Sequence, residues 1–195
     1  MWRPEPEDGR LLLGLARAAI AHALAVPGPH PQLLLGEALE RTVLRRPGPA
    51  FVTLRLQDEL RGCLGTLEAE EPLASAVARH AVAAALHDPR FPPLLPGELV
   101  PVRLGVSVLG PCTPVVGQES IVLGRHGIAL VHRGRRAVFL PEVALDQGWD
   151  VLTLLEHLAV KAGLRRPDWQ DAALSVFETA SFAEGDGTDG ILRGS

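Results

Sequence analysis

Apolar residues recur every three to four positions at Leu12, Leu15, Ala19, Ala23 and Val26, with Arg17 and His22 lying off that stripe. This spacing predicts an amphipathic helix ended by Pro27-Gly28. A shorter helical pattern runs from Leu33 to Leu44 and stops at Pro47-Gly48-Pro49. The period then changes. Val52, Leu54 and Leu56 alternate with Thr53 and Arg55, which predicts a strand over Phe51 to Leu56. Gln57-Asp58-Glu59 reads as a polar turn, and Leu60 to Leu67 as the returning arm of a hairpin. Helical spacing resumes in the Ala-rich stretch from Leu73 to Leu86, which Asp88-Pro89 ends. Pro92-Pro93, Pro96 and Gly97 keep the next stretch irregular.

Val102, Leu104, Val106 and Val108 alternate with Arg103, Gly105 and Ser107, a second strong strand signal, which Pro111 and Pro114 close. Ile121 to Leu123, Ile128 to His132 and Ala137 to Leu140 read as short strands of a meander, separated by Gly124-Arg125-His126-Gly127 and Arg133-Gly134. Asp150 is placed to cap a helix carrying Val151, Leu154, Leu155, Leu158 and Ala162, with Gly163 at its C′ position. Leu174 to Phe182 reads as one last strand, and residues 185–195 as a Gly/Asp-rich, frayed tail. Helices and strands follow one another without regular βαβ alternation, and short turns join most strands. The expected fold class is therefore α+β, with antiparallel sheets and packed helices.

A chain of 195 residues and 20.8 kDa fits one domain or two small subdomains. Nineteen basic and 23 acidic residues leave a net charge of −4, which argues against a general polyanion binder. A hydrophobic content of 47% excludes a wholly disordered chain. The longest apolar stretch near the N-terminus, Leu11 to Val26, is interrupted by Arg17 and His22 and falls short of the roughly 20 residues that cross a bilayer. Glu5, Glu7 and Asp8 precede it where a signal peptide carries positive charge. The two cysteines, Cys63 and Cys112, form no CxxC pair and are too few for a disulfide framework. Together these features predict a soluble, reduced, cytoplasmic protein.

The hexapeptide Leu60-Arg61-Gly62-Cys63-Leu64-Gly65 resembles the signature of the AMMECR domain family, in which Ile is more usual at the Leu64 position. Asp88-Pro89-Arg90-Phe91-Pro92, Glu98-Leu99, Val106-Ser107-Val108-Leu109, His126-Gly127, Leu140-Pro141, Trp149-Asp150 and Lys161-Ala162-Gly163-Leu164 follow in the family's order. The resemblance spans residues 11–184. It implies an α+β fold with a larger and a smaller subdomain packed together, and it brings no established biochemical activity. The chain also resembles the A component of the AmmeMemoRadiSam system, which implies a Memo-like protein and a radical-SAM protein as partners. Glu142 departs from the family's common Gln, and Ala159 stands where the family often has Cys, so no role for a second cysteine carries over.

Cys63 leads the chemistry-bearing residues. It lies between Gly62 and Gly65, which leave room for close approach, and beside Arg61, whose charge favours the thiolate. A thiol so placed serves either as a nucleophile or binding group, or as a small buried hydrophobe at a bulge. His126, in a Gly-flanked turn, is the base that would pair with it if both faced one cleft; otherwise it is a solvated turn residue. Arg90 can clamp a carboxylate or phosphate. Alternatively, Asp88 and Arg90 brace their loop while Phe91 plugs the core, and this structural reading is preferred. Glu142 would act as an acid or base only if buried near Cys63.

No metal site is expected. His80 and His87 are separated by about 10 Å along a helix, and His126 and His132 lack a third ligand. Arg133, Arg135, Arg136, Arg165 and Arg166 carry no interleaved aromatics, so they read as a solvated hairpin tip rather than a nucleic-acid surface. No phosphate-binding glycine pattern follows a strand, so no nucleotide cofactor is expected. Two functions remain: a binding module or accessory subunit that docks a partner around the hexapeptide, with Arg61, Gly62, Gly65, Asp88, Arg90 and Glu142 as binding residues, or an enzyme that uses Cys63 on a small organic substrate in a Gly-lined cleft.

Overall fold

The computed structural model describes residues 2–185, so all but the first residue of the tail expected over residues 185–195 lies outside the described residues. In chain order the elements are α1 (Pro6–Ala23), α2 (Pro31–Glu40), α3 (Thr42–Arg45), β1 (Ala50–Leu56), β2 (Glu59–Gly65), α4 (Leu73–Leu86), β3 (Arg103–Leu109), β4 (Thr113–Val115), β5 (Gly127–His132), β6 (Arg135–Phe139), α5 (Glu142–Gln147), α6 (Val151–Lys161), β7 (Ala173–Phe177) and β8 (Thr179–Ala183). They form an α+β fold with two four-stranded antiparallel sheets, ordered β2-β1-β3-β8 and β4-β7-β5-β6. Among the described residues no helix is long and apolar enough to cross a membrane.

The chain divides into two compact units. The first holds residues 2–109 and 180–185, the second residues 110–179. In the first, the inward rows of β1 (Ala50, Val52, Leu54) and β3 (Leu104, Val106, Val108) share a core with Leu12, Leu15 and Ile20 of α1 and Val77, Ala81 and Ala84 of α4. Arg17, on α1, anchors this unit. Its guanidinium bonds both oxygens of Glu184 and donates to the carbonyls of Leu99 and Val102 at 2.7 Å each. In the second, Ile128 and Leu130 of β5 and Leu174 and Val176 of β7 pack with Leu154, Leu155 and Leu158 of α6. The Asp150 side chain accepts from Thr153 N at 2.8 Å at the start of α6, and Gly163 takes the left-handed C′ position at φ +74°.

Several expectations change. The Leu33–Leu44 pattern is two helices, broken where Arg41 turns extended at ψ 120°. Ile121–Leu123 is no strand. His126 N donates to Val122 O at 2.9 Å and His126 Nδ1 accepts from Val122 N at 3.2 Å, so a turn claims that backbone before a ladder can. Pro114 lies inside β4, which is tolerated because β4 is an edge strand. The run Leu174–Phe182 is two strands, β7 in the second sheet and β8 in the first, parted at Glu178. α5, over Glu142–Gln147, is a helix that the sequence pattern does not predict.

The hairpin β1–β2 turns through Gln57 and Asp58, both at positive φ (52° and 66°), the turn hand that suits twisted strands. A bulge falls between Leu54 and Arg55. Next to it, α4 approaches β2 so closely that a Cβ at Gly62 would overlap the carbonyl oxygen of Ala84. Because that obstacle is backbone, no rotamer change relieves it. We expect Gly62→Ala to lower stability by about 2 kcal/mol. Gly14→Ala, on the exposed side of α1 with open space around it, is expected to raise stability by about 0.5–1 kcal/mol. Chemical denaturation of the two variants against wild type checks both signs.

Candidate functional site

β2 is an edge strand, and its pairing decides where its backbone points. Thr66 N donates to Ala50 O at 3.0 Å in a register where Thr53 faces Cys63. Hydrogen-bonding residues alternate along an antiparallel pair, so Leu64 and Gly62 turn their N–H and C=O toward β1 while Cys63 turns both outward. Outward groups on an edge must find partners or water. Here Asp88 Oδ2 accepts from Cys63 N at 2.8 Å, and Arg90 Nη2 donates to Cys63 O at 2.9 Å. The pair closes on itself through Arg90 Nε to Asp88 Oδ1 at 2.9 Å and Nη2 to Oδ2 at 2.7 Å. One acid and one base thus replace the donor and acceptor a neighbouring strand would supply.

Asp88 is 4% exposed and carries a full charge in that setting. The Arg90 side chain, followed by the backbone N–H groups of Cys63 and Arg90, holds its carboxyl at about 2, against the opposing cost of burial. Arg61 extends the clasp along the same loop. It donates to Glu98 through Nε and Nη2 at 2.9 Å each, and to Pro92 O at 2.8 Å and Pro93 O at 3.3 Å. The Arg61 bonds keep Glu98 below the usual carboxylate range. Leu94, not Phe91, plugs the core from this loop, with Leu94 N bonded to Ala85 O at 2.8 Å. Phe91 is half-buried, with the Arg90 guanidinium 5.4 Å above its ring.

The thiol of Cys63 is free and half-buried, and the Thr53 hydroxyl donates to its sulfur at 3.3 Å. At Gly65 a Cβ would run into the Ala50 carbonyl and the Phe51 ring. Arg61, Gly62, Cys63, Gly65, Asp88 and Arg90 are therefore one assembly in the first unit, built chiefly by close backbone approach and the two-residue clasp. His126 and Glu142 belong to the second unit: His126 braces its own turn, and Glu142 is exposed in the first turn of α5. Arg135, at the β5–β6 hairpin, bonds Gly163 O, whereas Arg165 and Arg166 follow α6 rather than sit at that hairpin tip and pair with Asp168 at 2.8 Å and Glu156 at 3.2 Å. His80 is buried on α4, and desolvation and then the Arg79 charge push it below the ordinary histidine range. Among the described residues no three metal-ligating side chains come together.

Comparison with known proteins bears on the same residues. The AMMECR1 family pattern matches residues 13–182, which include the hexapeptide and the Asp88–Arg90 loop. The chain belongs to the AMMECR1 family. Within it, a relative from Methanopyrus kandleri is 38% identical over 194 residues, covering 91% of this chain and 89% of that protein. One from Methanocaldococcus jannaschii is 34% identical, covering 91% and 90%. The crystal structure of an uncharacterised protein from Pyrococcus horikoshii matches this AMMECR1 chain with a TM-score of 0.83 at 29% identity, over 95% of each chain.

Because Asp88 titrates near 2 when folded and near 3.8 when unfolded, its contribution is present above about pH 4 and is lost as pH falls toward 2. That contribution is about 2 kcal/mol. Asp88→Asn keeps the shape but removes the charge. It is expected to lower Tm by about 4–8 °C at pH 7 and to erase most of the difference at pH 2.5. A Tm difference equal at both values would contradict this charge assignment.

Proposed function

We propose that this AMMECR1-family chain is a binding module or accessory subunit that docks a protein partner along the clasped edge of β2. The carrying observation is how the hexapeptide spends its polar groups. Both backbone groups of Cys63 are held by Asp88 and Arg90, and Arg61 is tied to Glu98, Pro92 and Pro93. The edge is thus rigid, and apolar side chains stand out beside it: Leu60 is 39% exposed and Leu95 64%. A rigid, partly apolar rim loses little entropy on association. Resemblance to the A component of the AmmeMemoRadiSam system makes a Memo-like protein and a radical-SAM protein the partners to try first.

A second reading, a Cys63-dependent enzyme, is favoured by the free, half-buried thiol. The polar neighbours of that thiol are the Thr53 hydroxyl and the Arg90 guanidinium, neither of which can serve as the base that nucleophilic catalysis calls for. Capture of a purified Memo-like partner separates the two. Leu60→Glu and Leu95→Glu, at exposed positions, are expected to weaken capture at least tenfold, about 1.4 kcal/mol, with Tm unchanged. Cys63→Ser is expected to leave capture intact. Undiminished capture by both Glu variants contradicts docking at this edge.

A further inference from the structure

The face of the first sheet turned away from its helices is lined by small and hydroxyl-bearing side chains. Register places Cys63, Thr53 and Gly105 in one row and Gly65, Phe51 and Ser107 in the next. Ser181 of β8 continues the second row, hydrogen-bonded to Ser107 at 3.1 Å. One step toward the β1–β2 turn, Arg55 stands directly opposite Arg103.

Two features of this face are costly to the fold and only partly offset within it. Like charges in register across antiparallel strands are destabilising. Among the described residues Arg103 has only the exposed carboxylate of Asp58, at 3.9 Å, and Arg55 meets only the Asp58 backbone oxygen, at 3.0 Å. Gly105 is the second. A strand interior disfavours glycine, yet a Cβ there would meet only Phe182 O at 3.7 Å, Thr53 Cβ at 3.9 Å and Thr53 O at 4.0 Å. Those are ordinary contacts, unlike the overlaps at Gly62 and Gly65. Packing does not demand a glycine at 105, whereas something approaching this face from outside would.

We propose that this face binds a small carboxylate- or phosphate-bearing molecule. Its anionic group lies between Arg55 and Arg103, and its body crosses Gly105 against Thr53 toward Cys63. Successive residues on one face of a strand are about 7 Å apart, so the occupant is an anion on a short organic body. The site adds to the docking edge and does not depend on it, since it uses the sheet face rather than the strand's outer backbone.

Iodoacetate and iodoacetamide test the site because they share a reactive carbon and differ by one negative charge. Labelling is read at Cys63 and, as the internal reference, at exposed Cys112, at constant ionic strength. The iodoacetate-to-iodoacetamide rate ratio at Cys63 is expected to exceed that at Cys112 by about fivefold or more. The excess should fall at least twofold in Arg55→Gln/Arg103→Gln, with the Arg90 guanidinium beside the thiol supplying what remains. Millimolar anions should slow Cys63 labelling in wild type; protection by inorganic phosphate alone assigns a phosphate ester, and protection by succinate alone a carboxylic acid. Gly105→Ala should keep or raise Tm and lose that protection. Equal ratios at the two cysteines, a ratio at Cys63 that the double variant leaves unchanged, protection that survives Gly105→Ala, or a native Cys63 that neither reagent labels would each overturn the site.

Discussion

An edge strand of an antiparallel sheet turns every second N–H and C=O away from its neighbour, and those groups must be met by water, by another strand or by side chains. At Cys63 they are met by a carboxylate and a guanidinium that also bind each other. The remaining features near the hexapeptide follow from that clasp. Asp88 has to be charged, so it sits beside Arg90 and titrates far below an ordinary aspartate. The loop has to return to β2 immediately after α4, so α4 ends against the strand, and Gly62 has no room for a side chain beside the Ala84 carbonyl. Arg61 then holds the far half of the same loop through Glu98 and two proline carbonyls.

Legibility in the sequence tracked how local the deciding physics was. α4 is observed over Leu73–Leu86 as its spacing predicts, because an Ala-rich run between prolines leaves no competing period. The Asp150 cap and the left-handed Gly163 are likewise local chemistry. Leu174–Phe182 looked continuous because both halves are apolar; alternation cannot say that β7 and β8 join different sheets. Arg17 lies off the apolar stripe of its helix, which says nothing of its carbonyl and carboxylate partners 82 to 167 residues away. The hexapeptide itself was visible as a motif. What makes it rigid was not, because the register that turns Cys63 outward is set by pairing with β1.

The same distinction separates the glycines. Gly62 and Gly65 suggested a lined cleft in the sequence, but in the fold they accommodate the protein's own backbone and the Phe51 ring. Gly105 drew no notice in the sequence, being one small residue in an alternating strand, and it is the one among these three with space left over. The two sides of β2 thus differ: its outer backbone edge is held by the clasp, while the thiol and the Thr53 hydroxyl lie on the sheet face.

Native-state hydrogen exchange at the amide of Cys63 tests the clasp most directly. Bound to the Asp88 carboxylate, this outward-facing amide is expected to exchange as slowly as the inward-facing amides of Gly62 and Leu64, and to accelerate by two orders of magnitude or more, roughly 3 kcal/mol, in Asp88→Asn while those neighbours change little. A Cys63 amide that exchanges at the rate of an open sheet edge in the wild-type protein would contradict the account.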